Sequence, residues 1–205
     1  MSLTGAEFRF LEGGPEVHYL PDFLEEAQAA SLLENLAREV EWEQHRVRLF
    51  GRWVDTPRRS AWYGDPDAVY AYSGVAYAPK PWIPELSGLR RRIEEVTGKD
   101  FNSVLLNLYR TGTDSMGWHA DDEPELGPRP TIASVSLGAR RKLRFRRKGN
   151  HRDTREIWLD SGSLLVMRGK AQQDWQHALP KTRTVQEPRL NLTFRRILGK
   201  RSESG

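Results

Sequence analysis

Residues 107–121, NLYRTGTDSMGWHAD, are the part of the chain around which the rest is interpreted, because they end in the pair His119-x-Asp121. A third residue of matching chemistry, His177, follows Asp121 by 56 residues, at the end of the tetrapeptide DWQH. Two histidines and one carboxylate form the facial triad that holds Fe(II) on one side and leaves positions open for substrate and oxygen. A lone His-x-Asp arises by chance, so this interpretation depends on the rest of the chain.

Composition limits the chemistry that the chain can perform. Its 205 residues suffice for one domain with a sizeable core, and with no Cys it can have neither disulfides nor thiolate metal sites. Any metal must therefore be bound by His and carboxylate side chains. The N-terminus lacks the basic-then-apolar pattern of a signal peptide, and no apolar run reaches the ~18 residues of a membrane span. We expect an intracellular protein that contacts no membrane, cytoplasmic in a bacterium and nuclear in a eukaryote.

Charge is unevenly distributed along the chain. The formal net charge is only +4, yet residues 140–155 contain nine Lys or Arg and a single acidic residue, Asp153. A concentrated basic segment on a near-neutral body suggests contact with a polyanion. A solvated hairpin explains the same charges, and both interpretations stay open here.

Periodicity predicts a mainly β protein with flanking helices. Helices are expected over residues 22–40 and 85–97, each with an apolar stripe, and Gly98 is expected to end the second. Short strands are expected at residues 103–110, 131–137, 142–147, 155–159, 163–167, 174–178 and 189–197. Such a series favours a sandwich or barrel, for which the jelly roll is the common antiparallel solution. The expected division is an N-terminal part at residues 1–100, a β core at 101–198 and a flexible tail at 199–205.

The last expected strand separates polar from apolar side chains. In residues 189–195, RLNLTFR, alternation places Arg189, Asn191, Thr193 and Arg195 on one face. A surface strand would show the same pattern with this face in water. If the face points into the barrel, its buried guanidinium groups need anionic partners, which a dicarboxylate ligand would supply.

An arginine-rich stretch, HRVRLFGRW at residues 45–53, places Phe50 directly before Gly51. A Phe at a hairpin tip among arginines can wedge between bases, although a core position in a short strand is an alternative. Four tyrosines follow within residues 63–77. Aromatic side chains near arginines suit base stacking, but an aromatic strand is more often part of a core.

Taken together, His119-x-Asp121, His177, Asn107-x-Tyr109 and RLNLTFR resemble the AlkB family, the Fe(II)- and 2-oxoglutarate-dependent dioxygenases that oxidatively demethylate nucleic-acid bases. The resemblance runs from about residue 42 to residue 197. It implies a double-stranded β-helix (jelly-roll) core, with an N-terminal helical and hairpin lid that recognises the nucleotide. It also implies O2 as a co-substrate and alkylated DNA as the substrate, single- or double-stranded, with RNA as an alternative. A monomer is expected.

The resemblance implies a role for each residue at a matching position. The implied iron ligands, which form the catalytic centre, are His119, Asp121 and His177. The implied 2-oxoglutarate pocket consists of Asn107, Tyr109, Arg189, Asn191 and Arg195, with Arg189 on the distal carboxylate. The implied contacts to the substrate are Phe50, Arg58, Tyr70, Tyr72 and Glu123. Extruding a base from the stack is cheaper when a lesion blocks pairing, which favours 1-methyladenine and 3-methylcytosine.

Two further interpretations remain beside this one. NLYR, WHADDEP and DWQH resemble the homologue that prefers single strands, whereas LFG at residues 49–51 resembles the apolar finger of the duplex-DNA homologue. A nucleic-acid-binding β-domain without catalysis would leave the spacing of the triad and the polar face of RLNLTFR unexplained. A related oxygenase that acts on RNA, protein or a small molecule would leave the basic stretch and Phe50 without a role.

Overall fold

Two antiparallel sheets face each other in the computed structural model, which describes residues 9–49, 51–72 and 75–198. For residues 9–10, 49, 70–72 and 75–77 only the backbone is described. Apolar side chains of both sheets, among them Tyr19, Phe145 and Trp175, form one buried cluster between them. The arrangement is the jelly roll that the sequence predicts.

The strands and helices have the following bounds. The strands are β1 (Arg9–Phe10), β2 (Val17–Leu20), β3 (Arg46–Leu49), β4 (Arg52–Asp55), β5 (Arg59–Gly64), β6 (Tyr70–Tyr72), β7 (Val75–Tyr77), β8 (Ser103–Tyr109), β9 (Met116–His119), β10 (Ile132–Gly138), β11 (Arg141–Arg147), β12 (Asn150–Leu159), β13 (Leu164–Met167), β14 (Trp175–Leu179) and β15 (Arg189–Arg195). The helices are α1 (Glu26–Glu39), α2 (Pro84–Thr97) and α3 (Ala171–Asp174), and a 3-10 turn spans Pro124–Leu126.

The seven-stranded major sheet has the order β1-β2-β13-β10-β15-β8-β5, and the four-stranded minor sheet has the order β12-β11-β14-β9. Two hairpins, β3-β4 and β6-β7, belong to neither. The apolar residues of α1 and α2 pack in one cluster with those of the major sheet, because alternation along β15 turns Leu190, Leu192 and Phe194 toward the helices. The same alternation leaves the opposite face of β15 to the space between the sheets.

Each strand predicted after residue 100 is confirmed, with shifts of a few residues at most, except that β12 begins five residues earlier than predicted. The second helix ends at Gly98 in the left-handed conformation (φ 62), as its position implies. The first helix begins at Glu26 and not at residue 22. Residues 21–24 instead form a turn, in which the Leu24 N–H donates to the Gly162 carbonyl.

The major sheet crosses the division predicted near residue 100, since β1, β2 and β5 precede it and β5 pairs with β8. The sequence does not reveal β1 and β2 clearly because both are short and lie beside turns. The proposed division stays a prediction about organisation, and the tail at 199–205 lies outside the described residues. Within the described part of the chain, no helix is long and apolar enough to span a bilayer.

One buried arginine joins the loops at one end of the minor sheet. Arg141 is only 2% exposed, and its guanidinium donates to the carbonyls of Thr111 (3.3 Å), Gly112 (3.4 Å), Asp114 (3.0 Å) and Pro180 (2.7 Å). The first three carbonyls precede β9, and the fourth follows β14. Arg141 therefore fixes the two loops that border the strands carrying His119 and His177.

Arg141→Met should destabilise the fold by about 2 kcal/mol, because it removes the guanidinium donor of the Asp114 and Pro180 carbonyls, whereas the Thr111 and Gly112 carbonyls keep the backbone N–H donors of Asp114 and Thr182. The matched control is Arg140→Met, which breaks an exposed ion pair with Asp160 and should cost less than about 1 kcal/mol. Urea unfolding of both variants measures the difference. Equal midpoints would show that Arg141 does not hold these loops.

Candidate active site

The two histidines of the predicted triad meet across a pair of neighbouring strands. His177 on β14 lies directly opposite His119 on β9, and their ring centroids are 4.2 Å apart. The Nδ1 of His119 lies 2.8 Å from the Gly117 carbonyl, which can only accept, so Nδ1 carries the proton. The Nε2 atom of His119 is therefore the one that remains for a metal ion.

Asp121 completes the group two residues beyond β9. One ligand atom from each of His119, Asp121 and His177 lies within 4.8 Å of the others. The Oδ1 atom of Asp121 accepts a hydrogen bond from Arg195 Nη2 at 2.7 Å, and its backbone N–H donates to Gln172 Oε1 at 2.9 Å. The Oδ2 atom is buried and has no hydrogen-bond partner. A buried carboxylate oxygen without a partner is costly unless a cation completes it.

The charge states of these residues suit a cation. Burial lowers the pKa of His177 to about 3, and the neighbouring His119 acts in the same direction, so the ring is neutral at pH 7. Neutral imidazole is the form that ligates metals. Burial alone would raise the pKa of Asp121, but Arg195 and the two histidines outweigh it and hold that pKa below its usual value. The site therefore offers the neutral ring of His177 and one negative oxygen of Asp121 beside the ring of His119.

A second buried charge lies on the facing sheet. Arg189 is 2% exposed, and its Nη2 donates to Ser136 Oγ and Asn191 Oδ1, each at 2.9 Å. Its Nε has no hydrogen-bond partner, and no acidic side chain in the described ranges forms an ion pair with it. Burial lowers the pKa of Arg189 to about 10, which leaves it charged at pH 7. A buried guanidinium with an unpaired N–H is a receptor for a carboxylate.

The polar face of β15 points into the space between the sheets, as the sequence-based hypothesis required. Arg189, Asn191, Thr193 and Arg195 line the same cavity as the three candidate metal ligands. Asn107 and Tyr109 on β8 lie directly opposite Asn191 and Arg189. The structure thus brings the five predicted pocket residues together, although Arg195 pairs with Asp121 and Asn191 bonds within the protein. Their individual roles toward a ligand stay predictions.

The structure describes the predicted substrate-binding residues less completely than the pocket residues. Phe50 lies outside the described residues, and the side chains of Tyr70 and Tyr72 on β6 also lie outside the description. Glu123 is half-buried and immediately precedes the 3-10 turn that follows Asp121. Arg58 lies between the β3-β4 hairpin and β5, and its Nε donates to Asn107 Oδ1 at 2.9 Å. That contact reaches the predicted pocket, so Arg58 connects the hairpin region to the site.

Comparison with known proteins identifies the group to which this arrangement belongs. The family model of the 2OG-Fe(II) oxygenase superfamily matches residues 16–195. The chain belongs to this superfamily. The structure also superposes on that of OsALKBH1 with a TM-score of 0.65, covering 93% of this chain and all of that one at 19% identity, which shows a shared fold.

Several curated proteins are similar in sequence to this oxygenase. The alpha-ketoglutarate-dependent dioxygenase alkB homolog 3 of Homo sapiens is 43% identical over 194 residues, which cover 90% of this chain and 67% of that protein. The DNA oxidative demethylase ALKBH2 of Homo sapiens is 43% identical over 186 residues, 84% of this chain and 70% of that protein. The match to the Bos taurus alkB homolog 3 covers 64% of its length. The chain thus spans about two thirds of these relatives.

The residues of the oxygenase fit both groups that the family description names. His119, His177 and the unpaired Asp121 Oδ2 form the two-histidine, one-carboxylate set that suits Fe(II). The unpaired Nε of Arg189 lies in the same cavity and suits one carboxylate of 2-oxoglutarate. Asp121 Oδ2 and Arg189 Nε are buried polar atoms for which the protein itself supplies no hydrogen-bond partner.

Sequence reasoning missed three supports of the site in this oxygenase. Ser136 bonds to Arg189, and alternation within the predicted strand 131–137 could have placed it on the polar face. Arg141 shares a strand face with Leu143 and Phe145, so the alternation of side chains along the strand could also have predicted its burial. Gln172 lies in the short helix α3, and nothing in the pattern signals its bond to Asp121.

Asp121→Asn should abolish the stabilisation of the oxygenase by divalent metal, because the amide lacks the negative charge that balances the ion. The melting temperature of the wild type should rise on titration with Mn(II), and that of Asp121→Asn should not. Asp122→Asn is the matched control, since the exposed Asp122 pairs with Lys148 and should leave the metal response intact. The same loss of response in both variants would remove Asp121 from the metal site.

Arg58→Ala should weaken 2-oxoglutarate binding about fivefold, the value of one hydrogen bond of roughly 1 kcal/mol. The Arg58 N–H holds Asn107 Oδ1 and so turns the Asn107 amide N–H groups toward other acceptors. Calorimetry with Mn(II) in place of Fe(II) measures the dissociation constant. The control variant Arg59→Ala, at the neighbouring exposed position, should leave the dissociation constant of 2-oxoglutarate unchanged.

A double-mutant cycle assigns the effect to this contact. Once Asn107 is replaced by Ala, removal of Arg58 should have no further effect on 2-oxoglutarate binding. Additive losses would mean that Arg58 acts on the pocket by another route.

Proposed function

We propose that this protein is an Fe(II)- and 2-oxoglutarate-dependent dioxygenase that removes methyl groups from ring nitrogens of alkylated bases in DNA. The observation that carries the proposal is a pair of buried polar atoms without hydrogen-bond partners in one cavity, Asp121 Oδ2 and Arg189 Nε. The identity of about 43% to a protein named DNA oxidative demethylase supports DNA as the substrate.

Each residue of the site has a physical task in this reaction. His119, Asp121 and His177 would hold Fe(II), and Arg189 would hold the distal carboxylate of 2-oxoglutarate. The bound iron and co-substrate would supply the oxidation of a methyl C–H bond by O2, coupled to the conversion of 2-oxoglutarate to succinate and CO2. The hydroxylated methyl group then leaves the base as formaldehyde. The chain itself binds and orients the reactants and excludes water, because no protein nucleophile is needed.

The substrates we favour are 1-methyladenine and 3-methylcytosine. Their methyl groups lie on the pairing edge, so the base must leave the stack before it can reach a site between two sheets. His119 is only partly buried and lies on β9, the edge strand of the minor sheet, which gives such a base a route of approach. Tyr72 and Glu123 remain proposed contacts to the base, and Phe50 remains a proposed finger for duplex DNA.

Other proposals are less supported by the contacts. A β-domain without catalysis would keep two buried polar atoms unsatisfied, at about 1–3 kcal/mol each, for no gain. RNA remains a possible nucleic-acid substrate, since one similar protein carries the broader name alkB homolog 3. An intracellular monomer remains part of the proposal.

The test is a mass-spectrometric assay on matched single- and double-stranded oligonucleotides that carry one lesion each. The expected result is loss of one methyl group with one succinate formed per repaired base. Loss of 2-oxoglutarate that methylated DNA does not stimulate, with no change in the oligonucleotide, would contradict the proposal.

In the same assay Arg189→Lys should raise the KM for 2-oxoglutarate more than tenfold, because lysine cannot supply the two-pronged contact that an arginine offers to a carboxylate. Arg196→Lys is the control. Arg196 is exposed and pairs with Asp100 outside the cavity, so the KM of Arg196→Lys for 2-oxoglutarate should match that of the wild type. An unchanged KM in Arg189→Lys would remove Arg189 from the co-substrate pocket.

A further inference from the structure

The minor sheet has a second face that the proposed reaction does not use. Along β11 the side chains of Leu143 and Phe145 point into the core, and those of Lys142, Arg144 and Arg146 point outward. The same parity applies to β14 and β9, where His177 and His119 point inward. The outward-facing residues in the middle of this sheet, here the outer face, are Trp118, Lys142, Arg144, Arg146, Thr154, Glu156, Trp158, Gln176 and Ala178. Its one acidic member, Glu156, lies opposite Arg144 in the register and forms its ion pair with Lys142.

Most of the basic segment at 140–155 is neutralised by acids of the same chain. Arg141 is buried, and five more of the nine form ion pairs: Arg140 with Asp160, Lys142 with Glu156, Lys148 with Asp122, and Arg147 and Arg155 both with Asp153. Among the described residues the remaining three, Arg144, Arg146 and Arg152, form no ion pair with an acid. The charge left for a partner is therefore concentrated on the outer face and its hairpin.

Aromatic rings lie on both sides of these arginines. Trp158 on the edge strand β12 is 45% exposed, and two cations, Arg140 and Lys142, lie 4.9 Å from its ring centroid. At the opposite edge, the guanidinium of Arg146 lies 4.5 Å from the ring of Trp118 while its Nε donates to Gln176 Oε1. The order across the sheet is thus tryptophan, cations, tryptophan, over three strand spacings or about 14 Å.

This face leads to the active site. Trp118 immediately precedes His119, and among the described residues β9 has no neighbouring strand beyond it in the minor sheet. A chain that crosses the outer face can therefore turn around the edge of β9 and reach the half-buried His119 ring. A stretch of about 14 Å accommodates a few nucleotides of an extended single strand.

We propose that the outer face of the minor sheet binds the single-stranded flank of a nucleic acid whose damaged base enters the active site. This inference rests on the proposed nucleic-acid substrate. Arg144 and Arg146 contact phosphates, and Trp158 stacks on a base. An exposed tryptophan ring on the same face as Arg144 and Arg146 favours this partner over an acidic protein segment, which would match the charges but would give the exposed Trp158 no planar partner.

The test measures binding by fluorescence anisotropy, with the full chain loaded with Mn(II) and 2-oxoglutarate and with labelled, unmethylated oligonucleotides. Arg144→Gln should reduce the slope of log affinity against log salt by about 0.7 for a single strand, the loss of one phosphate contact. Trp158→Ala should weaken single-strand binding at least about fivefold and leave duplex binding unchanged, because stacking needs an unpaired base. Arg38→Gln on α1, where the side chain is also exposed, should change neither quantity.

Each result decides a different question. A salt slope for Arg144→Gln equal to that of Arg38→Gln would overturn the phosphate contact. Equal weakening of single-strand and duplex binding by Trp158→Ala would overturn the stacking contact. If the wild type binds and all variants match it, only this inference fails. If the wild type binds no oligonucleotide at all, the proposed substrate fails with it.

Discussion

The ion pair between Arg195 and Asp121, 2.7 Å long and almost fully buried, is the contact on which the site depends. Arg195 ends the last strand of the major sheet, and Asp121 follows the edge strand of the minor sheet, so the pair joins the two layers. It occupies Oδ1 and keeps the carboxylate ionised, which leaves Oδ2 charged and unpaired. The imidazoles of His119 and His177 approach the same point. A single cation would therefore satisfy a site that protein atoms leave incomplete.

Buried groups without partners are rare in folded proteins, and here two lie in one cavity. Asp121 Oδ2 and Arg189 Nε both lack a hydrogen-bond partner, yet the two residues do not pair with each other: Asp121 is held by Arg195 and Gln172, and Arg189 by Ser136 and Asn191. A ligand that carries a carboxylate at one end and chelates a metal at the other would satisfy both groups at once. The fold thus keeps a carboxylate oxygen and a guanidinium N–H without partners in one cavity, and a bound co-substrate together with a metal ion would provide partners for both.

The sequence predicted what alternation and residue chemistry determine locally. His119-x-Asp121 and His177 were readable because few residue types ligate a metal, and RLNLTFR because a strand has a strict period of two. Arg58 was harder, since its bond to Asn107 joins positions 49 residues apart and depends on how a hairpin folds onto β8. Gln172 could not be found at all, because a short helix at a loop gives no period from which burial can be read.

The register of β14 explains how neighbouring residues of one strand serve both the candidate site and the proposed outer-face contacts. His177 and Gln176 are neighbours in the chain but point to opposite sides of β14, one toward the candidate metal and the other toward Arg146. A slip of one residue in this strand would move the imidazole to the outside and an amide into the site. The pairing of His177 with both Phe145 and His119 opposes such a slip, because two neighbouring strands fix the same position. The strand that positions one ligand also fixes which side chains the outer face presents.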